Sequence, residues 1–152
     1  MGKKPRIVPS KIPHVGTGHI PVPTVQSGHV VFNFRYLKED GEVSILQPKE
    51  WHGKNVGICA LVNRLKSITE RTRTDIETDW GLQKQLHYHR IDFKDSGVTR
   101  SGFGLGLRGA DDNAYQFSIT VNTGRLHGFW EGNIFYVVWL DLDHRLMPGK
   151  GR

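Results

Sequence analysis

Three short segments of this 152-residue chain carry side chains able to move protons or hold a phosphate: His87-Tyr88-His89-Arg90, Arg125-Leu126-His127 and His144-Arg145. An imidazole titrates near neutrality and can give or take a proton, while a guanidinium can clamp a phosphate through two parallel N–H donors. Cleavage of RNA without a metal needs that set: a base for the 2′-hydroxyl, a cation for the charged phosphorus centre and an acid for the leaving oxygen. His87 and His89 fall on one face of a strand, because strand side chains alternate with period two. They could also chelate a metal, but a site needs a third ligand, and spacing does not place Asp92, His127 or His144 there. The expectation is therefore neither metal nor cofactor. A plain pair of half-exposed strand histidines is the competing reading, as is a pair of ordinary polar positions at Arg125 and His127.

These residues must be positioned by the elements around them. Tyr115–Val121 alternates Tyr115, Phe117, Ile119 and Val121 against Gln116, Ser118 and Thr120, the signature of a strand with two unlike faces. Asn122-Thr123-Gly124 reads as a turn, Arg125–Trp130 as a strand, Glu131-Gly132-Asn133 as a second turn and Ile134–Leu142 as a strand apolar on both faces. The three strands form an antiparallel meander. Its register decides what His127 meets: a three-residue loop sets it against Phe135, Val137 and Trp139, a two-residue loop at Glu131-Gly132 against Tyr136. Only the second puts a phenol beside the imidazole.

Upstream, Val30–Leu37 reads as a strand and Val43–Leu46 as a short return after the Asp40-Gly41 turn. Between Lys54 and Thr78 the period changes, and Ile58, Leu61, Val62, Leu65, Ile68 and Ile76 form one stripe of a long amphipathic helix, closed by Asp79-Trp80-Gly81. Cys59 belongs to the core on this reading, and Trp51 and Trp80 are packing residues flanking the helix. Leu86–Phe93 reads as a further strand, and residues 95–114 as a long Gly-rich loop. Gly102-x-Gly104-x-Gly106 is not followed by a strong helix, so neither nucleotide-binding fingerprint is met.

The expected architecture is one α+β domain, an antiparallel sheet with a C-terminal meander packed on one long helix, over residues 29–147. Residues 1–28 hold five of the seven prolines and read as an extended basic arm; residues 148–152 form a basic tail. The formal charge of +6 lies wholly in those two ends, since residues 29–147 carry 15 basic and 15 acidic side chains. A neutral body does not suit tracking of phosphates over the whole surface. One cysteine excludes a disulfide framework within the chain and any Cys-based zinc site. The absence of a long apolar run or a secretory h-region leads to the expectation of a cytoplasmic protein.

The segments Gly124-Arg125-Leu126-His127-Gly128-Phe129 and Phe135-Tyr136-Val137-Val138-Trp139-Leu140-Asp141-Leu142-Asp143-His144-Arg145, following a strand and a helix, resemble the RelE/ParE-like toxin superfamily. The likeness covers about residues 115–146. In that family an arginine of the middle strand and a histidine or tyrosine near the end of the last strand serve ribosome-dependent mRNA cleavage. The resemblance implies that Arg125 steadies the scissile phosphate and that His144, with Arg145, holds the acid/base position. The resulting expectation is a toxin-like endoribonuclease, with Arg125 as clamp, His127 or His144 moving protons, and Tyr136 and Arg145 as supports. His87, His89, Arg90, Lys3, Lys4 and Arg6 would contact RNA or ribosome, and an antitoxin would be the protein partner. The alternative is a non-catalytic interaction module using the arm and an aromatic sheet face of Phe129, Trp130 and Tyr136.

Overall fold

A computed structural model describes residues 28–40, 43–44, 57–120 and 123–148. They form an α+β domain around a five-stranded sheet. In chain order the elements are β1 (Val31–Asn33), α1 (Ile58–Thr69), α2 (Arg73–Thr78), α3 (Trp80–Leu86), β2 (His89–Arg90), β3 (Ala114–Ser118), β4 (Arg125–Glu131) and β5 (Ile134–Asp141), with sheet order β1-β5-β4-β3-β2. The meander β3-β4-β5 is antiparallel, as the alternation predicts. The sheet as a whole is mixed, because β1 runs parallel to β5 with Phe32 opposite Phe135.

The expected long helix is two short ones, α1 and α2, and a third, α3, begins at its expected stop. Lys54–Val56 lie outside the described residues, as do residues 1–27, which include Lys3, Lys4 and Arg6. Past α1 the chain is pulled into extended backbone at Thr72, which bridges His29. Thr72 then opens α2 with a reciprocal capping box: its hydroxyl accepts from the Asp75 N–H, and the Asp75 carboxylate accepts from the Thr72 N–H, both at 3.0 Å. Asp79-Trp80-Gly81 starts a helix rather than ending one, since the Asp79 carboxylate accepts from the Leu82 N–H at 3.0 Å and caps α3. The apolar period is right for Leu61, Ile68 and Ile76, which are buried, whereas Ile58, Val62 and Cys59 are exposed.

The two ends of the sheet are shorter than the β-propensity suggests. The strand expected over Leu86–Phe93 is the last turn of α3, a cap at His87 with φ 48°, and the two residues of β2. The strand expected over Val30–Leu37 pairs only over β1; of the expected return, Val43 and Ser44 are described and Ser44 bridges Asp40, while Ile45 and Leu46 lie outside the described residues.

The sheet is buried on both faces. One face (Phe117, Leu126, Trp130, Phe135, Val137, Leu140) packs on Leu61, Ile68, Ile76 and Leu86 of the helices. The other (Ala114, Phe129, Val138, Trp139) is covered by Ile91, Phe103, Ala110 and Leu146 from the loops. Phe129 and Trp130, expected to form an open aromatic face, are therefore core residues; burying such rings is among the largest apolar gains available to a small domain. Among the described residues no helix is long and apolar enough to cross a membrane.

Register between β4 and β5 matches neither simple alternative. The loop is the two residues Gly132 and Asn133, with Glu131 opposite Ile134, but a bulge between His127 and Gly128 restores His127 to a place opposite Trp139. Tyr136 instead faces Phe129. The bulge explains Gly128: a Cβ there would collide with the Tyr136 carbonyl oxygen and the Phe135 ring.

Candidate active site

Strand pairing aligns two rows of polar side chains on the loop-covered face. His89, Gln116, His127 and Trp139 are successive partners across β2, β3, β4 and β5; Ser118, Arg125 and Asp141 form the adjacent row. The alternation in β3 is as the sequence indicates, but its polar face is buried rather than solvated: Gln116 and Ser118 are both inaccessible.

The centre is His127 and Asp141, both fully buried, with Nε2 of the imidazole 3.3 Å from Oδ2 of the carboxylate. Asp141 also accepts from the backbone N–H groups of Arg145 (Oδ1, 2.8 Å) and Leu146 (Oδ2, 2.8 Å). A carboxylate already accepting two N–H donors leaves the proton on His127 Nε2, so Nδ1 is the free lone pair. Burial alone would raise the Asp141 pKa, but the hydrogen bonds from His127 and from the two backbone donors outweigh it and hold the carboxyl below its usual range. For His127 burial wins over Asp141, so the imidazole is depressed and neutral at pH 7.

Around this pair gather the other candidates. Arg125, 8% exposed, donates from a terminal nitrogen to the Gly124 carbonyl at 2.9 Å and shares the field of Asp141. Ser118, opposite Arg125, donates its hydroxyl to the Leu86 carbonyl at 3.0 Å, which ties the end of α3, and so His87, to this row. Two bonds from Asp141 fold the 142–146 turn back on the sheet and bring in His144. His144 experiences the charges of Arg125, Asp141, His127 and His89, and His89 those of His127, Arg125 and His87. Partial burial first, and Arg125 after it, lower the pKa of His87 and His144; for His89, exposed as a residue, partial desolvation of the ring, then His127 and Arg125, lower it against a hydrogen bond with the His87 backbone that raises it. Accessibility divides the four: His127 is sealed, His87 and His144 are half-buried, and His89 is exposed.

Two further features mark this region. His87 and His144 are the non-glycine residues with left-handed backbone among those described, at φ 48° and 58°. Such backbone is sparsely populated by L residues and concentrates at functional sites. Gln116 Oε1, Arg125 Nε, His127 Nδ1 and Trp139 Nε1 are all buried without a protein partner, and neighbours in the same two rows. Orphaned buried polar atoms cost about 1–3 kcal/mol each, a burden that packing alone does not favour.

The other sequence-predicted residues stand apart. Tyr136 stacks on Phe129 and packs against Tyr36. Arg145 is exposed, with its guanidinium 3.0 Å from Asp143. Arg90 is exposed on β2. Asp141, Gln116 and Ser118 are the members that sequence reasoning missed. Asp141 had a signal: an acid in a run as apolar as Phe135–Leu142 must be buried and therefore partnered. Trp80, expected to pack, is instead 73% exposed.

Among the described residues no group of three or more His, Cys, Asp or Glu side chains is arranged to hold a metal ion. Fold and site together define an α+β domain with a buried histidine–carboxylate pair at its centre and three reachable imidazoles around it. Comparison of the chain with protein-family models, with curated proteins and with solved structures gives no match.

Proposed function

We propose that this chain is a toxin-like endoribonuclease that cleaves RNA by acid/base chemistry. The observation that carries the reading is the buried His127–Asp141 pair, with His89 in the same cross-strand row, Arg125 in the adjacent row and His144 in the turn that Asp141 holds against the sheet. In the proposed step one neutral imidazole removes the proton of the 2′-hydroxyl, and O2′ bonds to phosphorus. The P–O5′ bond breaks, and a second, protonated imidazole delivers its proton to O5′. The products are a 2′,3′-cyclic phosphate and a 5′-hydroxyl end. The reachable pair His89 and His144 suits the two proton transfers. Arg125 supplies positive potential to the phosphorane, and His127 with Asp141 acts as a buried positioning pair. A cytoplasmic site of action, RNA or ribosome as target and a neutralising antitoxin belong to the same reading, as does contact of Lys3, Lys4 and Arg6 with RNA.

The test is induced expression of wild type, His144→Ala and Arg125→Ala in a bacterial host, followed by growth and integrity of bulk mRNA. The expected result is arrest with cleaved mRNA in wild type and recovery in the variants. Purified protein should yield cyclic-phosphate ends in the presence of a chelator. Its kcat/KM should peak below pH 6.5, because both proton-transfer groups titrate below their usual value. Normal growth with intact RNA in all three strains refutes the proposal.

A further inference from the structure

We propose that Trp80 is a stacking platform for an unpaired base of single-stranded RNA, next to the histidine cluster; this rests on the RNA reading above and names its substrate class. A cavity of about 640 Å³ runs from Trp80 past Gln83, Lys84 and Gln85 to His87 and His89. Its lining is largely apolar, with Trp80 and Tyr88, and adds one cation (Lys84), two amides, two imidazoles and no carboxylate, which suits a flat base joined to a phosphate. The indole at its rim is 73% exposed, a large apolar surface left in water. Its position is fixed: Trp80 is the first residue of α3, directly after the Asp79 cap, and Gln83 one turn on donates to the Glu77 carbonyl at 2.8 Å. The Lys84 ammonium lies over the indole, 5.3 Å from its centroid, so a phosphate-seeking cation sits on one face of the ring and a base would stack on the other. Aromatic ring, cation and groove together are how single strands are held without sequence readout. A duplex keeps its base faces stacked inside and cannot offer one to the indole.

The experiment is fluorescence anisotropy with a labelled 2′-O-methyl hexa-adenylate, whose blocked 2′-oxygen prevents cleavage, titrated with the full chain. Wild type should bind, and Trp80→Ala should lose roughly fivefold to 150-fold in affinity, the range for one stacked base. Trp80→Phe should keep most of it, and a G·C-rich 2′-O-methyl duplex, long enough to stay paired during the titration, should bind more weakly. Because Trp80 is exposed, far-UV circular dichroism of both variants should match wild type. No binding by wild type, binding by Trp80→Ala within twofold of wild type, or equal affinity for duplex and single strand each overturns the proposal. Trp80-dependent binding without cleavage of unmodified RNA leaves the platform standing and removes the nuclease reading. Cleavage with unchanged binding in Trp80→Ala does the reverse.

Discussion

Replacing Asp141 with asparagine tests the centre of the site without changing its volume. The carboxylate accepts three bonds, from Arg145 N–H at Oδ1 and from Leu146 N–H and His127 Nε2 at Oδ2. An amide presents one acceptor and one donor. Whichever way it turns, its NH₂ group faces a backbone N–H, the buried one of Leu146 or the part-buried one of Arg145, so one donor is orphaned at about 1–3 kcal/mol. The surviving bonds lose their charge assistance, about another 1 kcal/mol. The sum is roughly 2–4 kcal/mol, a large share of the ~5–15 kcal/mol that holds a typical domain together. Urea unfolding followed through the buried Trp130 and Trp139 measures it. With a slope of about 2 kcal/mol/M, the middle of the range for small proteins, the midpoint should fall by about 1–2 M at unchanged slope.

The pH dependence sharpens this test. His127 has a folded-state pKa below its unfolded value of 6.5, so as pH falls the unfolded chain takes up that proton first. Stability therefore is full above pH 6.5 and declines below it. Removing the carboxylate removes what opposes that depression, so the gap between wild type and Asp141→Asn should hold or widen from pH 8 to pH 5. Asp141 itself, lowered from 3.8, contributes above that value and loses its contribution only as pH falls through its folded-state pKa. A variant within about 0.5 kcal/mol of wild type at pH 8, or a gap that shrinks by pH 5, refutes the assignment of Asp141 as organiser of this region.

Two other perturbations separate stability from site geometry. His144→Gly, at φ 58°, relieves a left-handed conformation that costs an L residue about 1–2 kcal/mol; some of this is offset by the greater freedom of the unfolded chain. Denaturant melts should show the variant equal to wild type or up to about 1 kcal/mol more stable, with RNA cleavage lost; a loss of more than about 1 kcal/mol counts against strain at this position. Gly128→Ala places a methyl against the Tyr136 carbonyl and the Phe135 ring, and neither can yield because both lie in the paired β5. Destabilisation of about 3 kcal/mol or more is expected by thermal or urea unfolding, and a near-neutral result would mean that the bulge is not as tight as this register requires.

What the sequence made legible is what local pattern encodes. The meander followed from period-two alternation and two Gly-containing turns, and the buried faces of α1 and α2 followed from Leu61, Ile68 and Ile76. The break between those helices was written in Thr72-x-x-Asp75 but hidden under a continuous apolar period. Non-local facts were not legible. The parallel pairing of β1 with β5 depends on a return across the whole chain, and the bulge at His127 depends on how the sheet twists over its neighbours. Burial of Gln116, Ser118 and Arg125 could not be read either, because polar alternation in an edge-like strand ordinarily signals a solvated face.

The arrangement of the histidines argues against simple packing as their reason for being there. Gln116, Arg125, His127 and Trp139 each bury a polar atom without a protein partner, and His87 and His144 each hold backbone that glycine would adopt more easily. The four orphaned atoms lie on one face of the sheet, while the opposite face, with Phe117, Leu126, Phe135 and Leu140, is apolar and regular. A domain selected for stability alone would lose such costs through single substitutions, glycine at the two turns and apolar residues in the rows. The same residues are those that bring three reachable imidazoles within the field of one guanidinium. Left-handed backbone at His87 and His144 and unsatisfied polarity in the rows that hold Arg125 and His127 support the proposed reading of a site held in place by the rest of the fold.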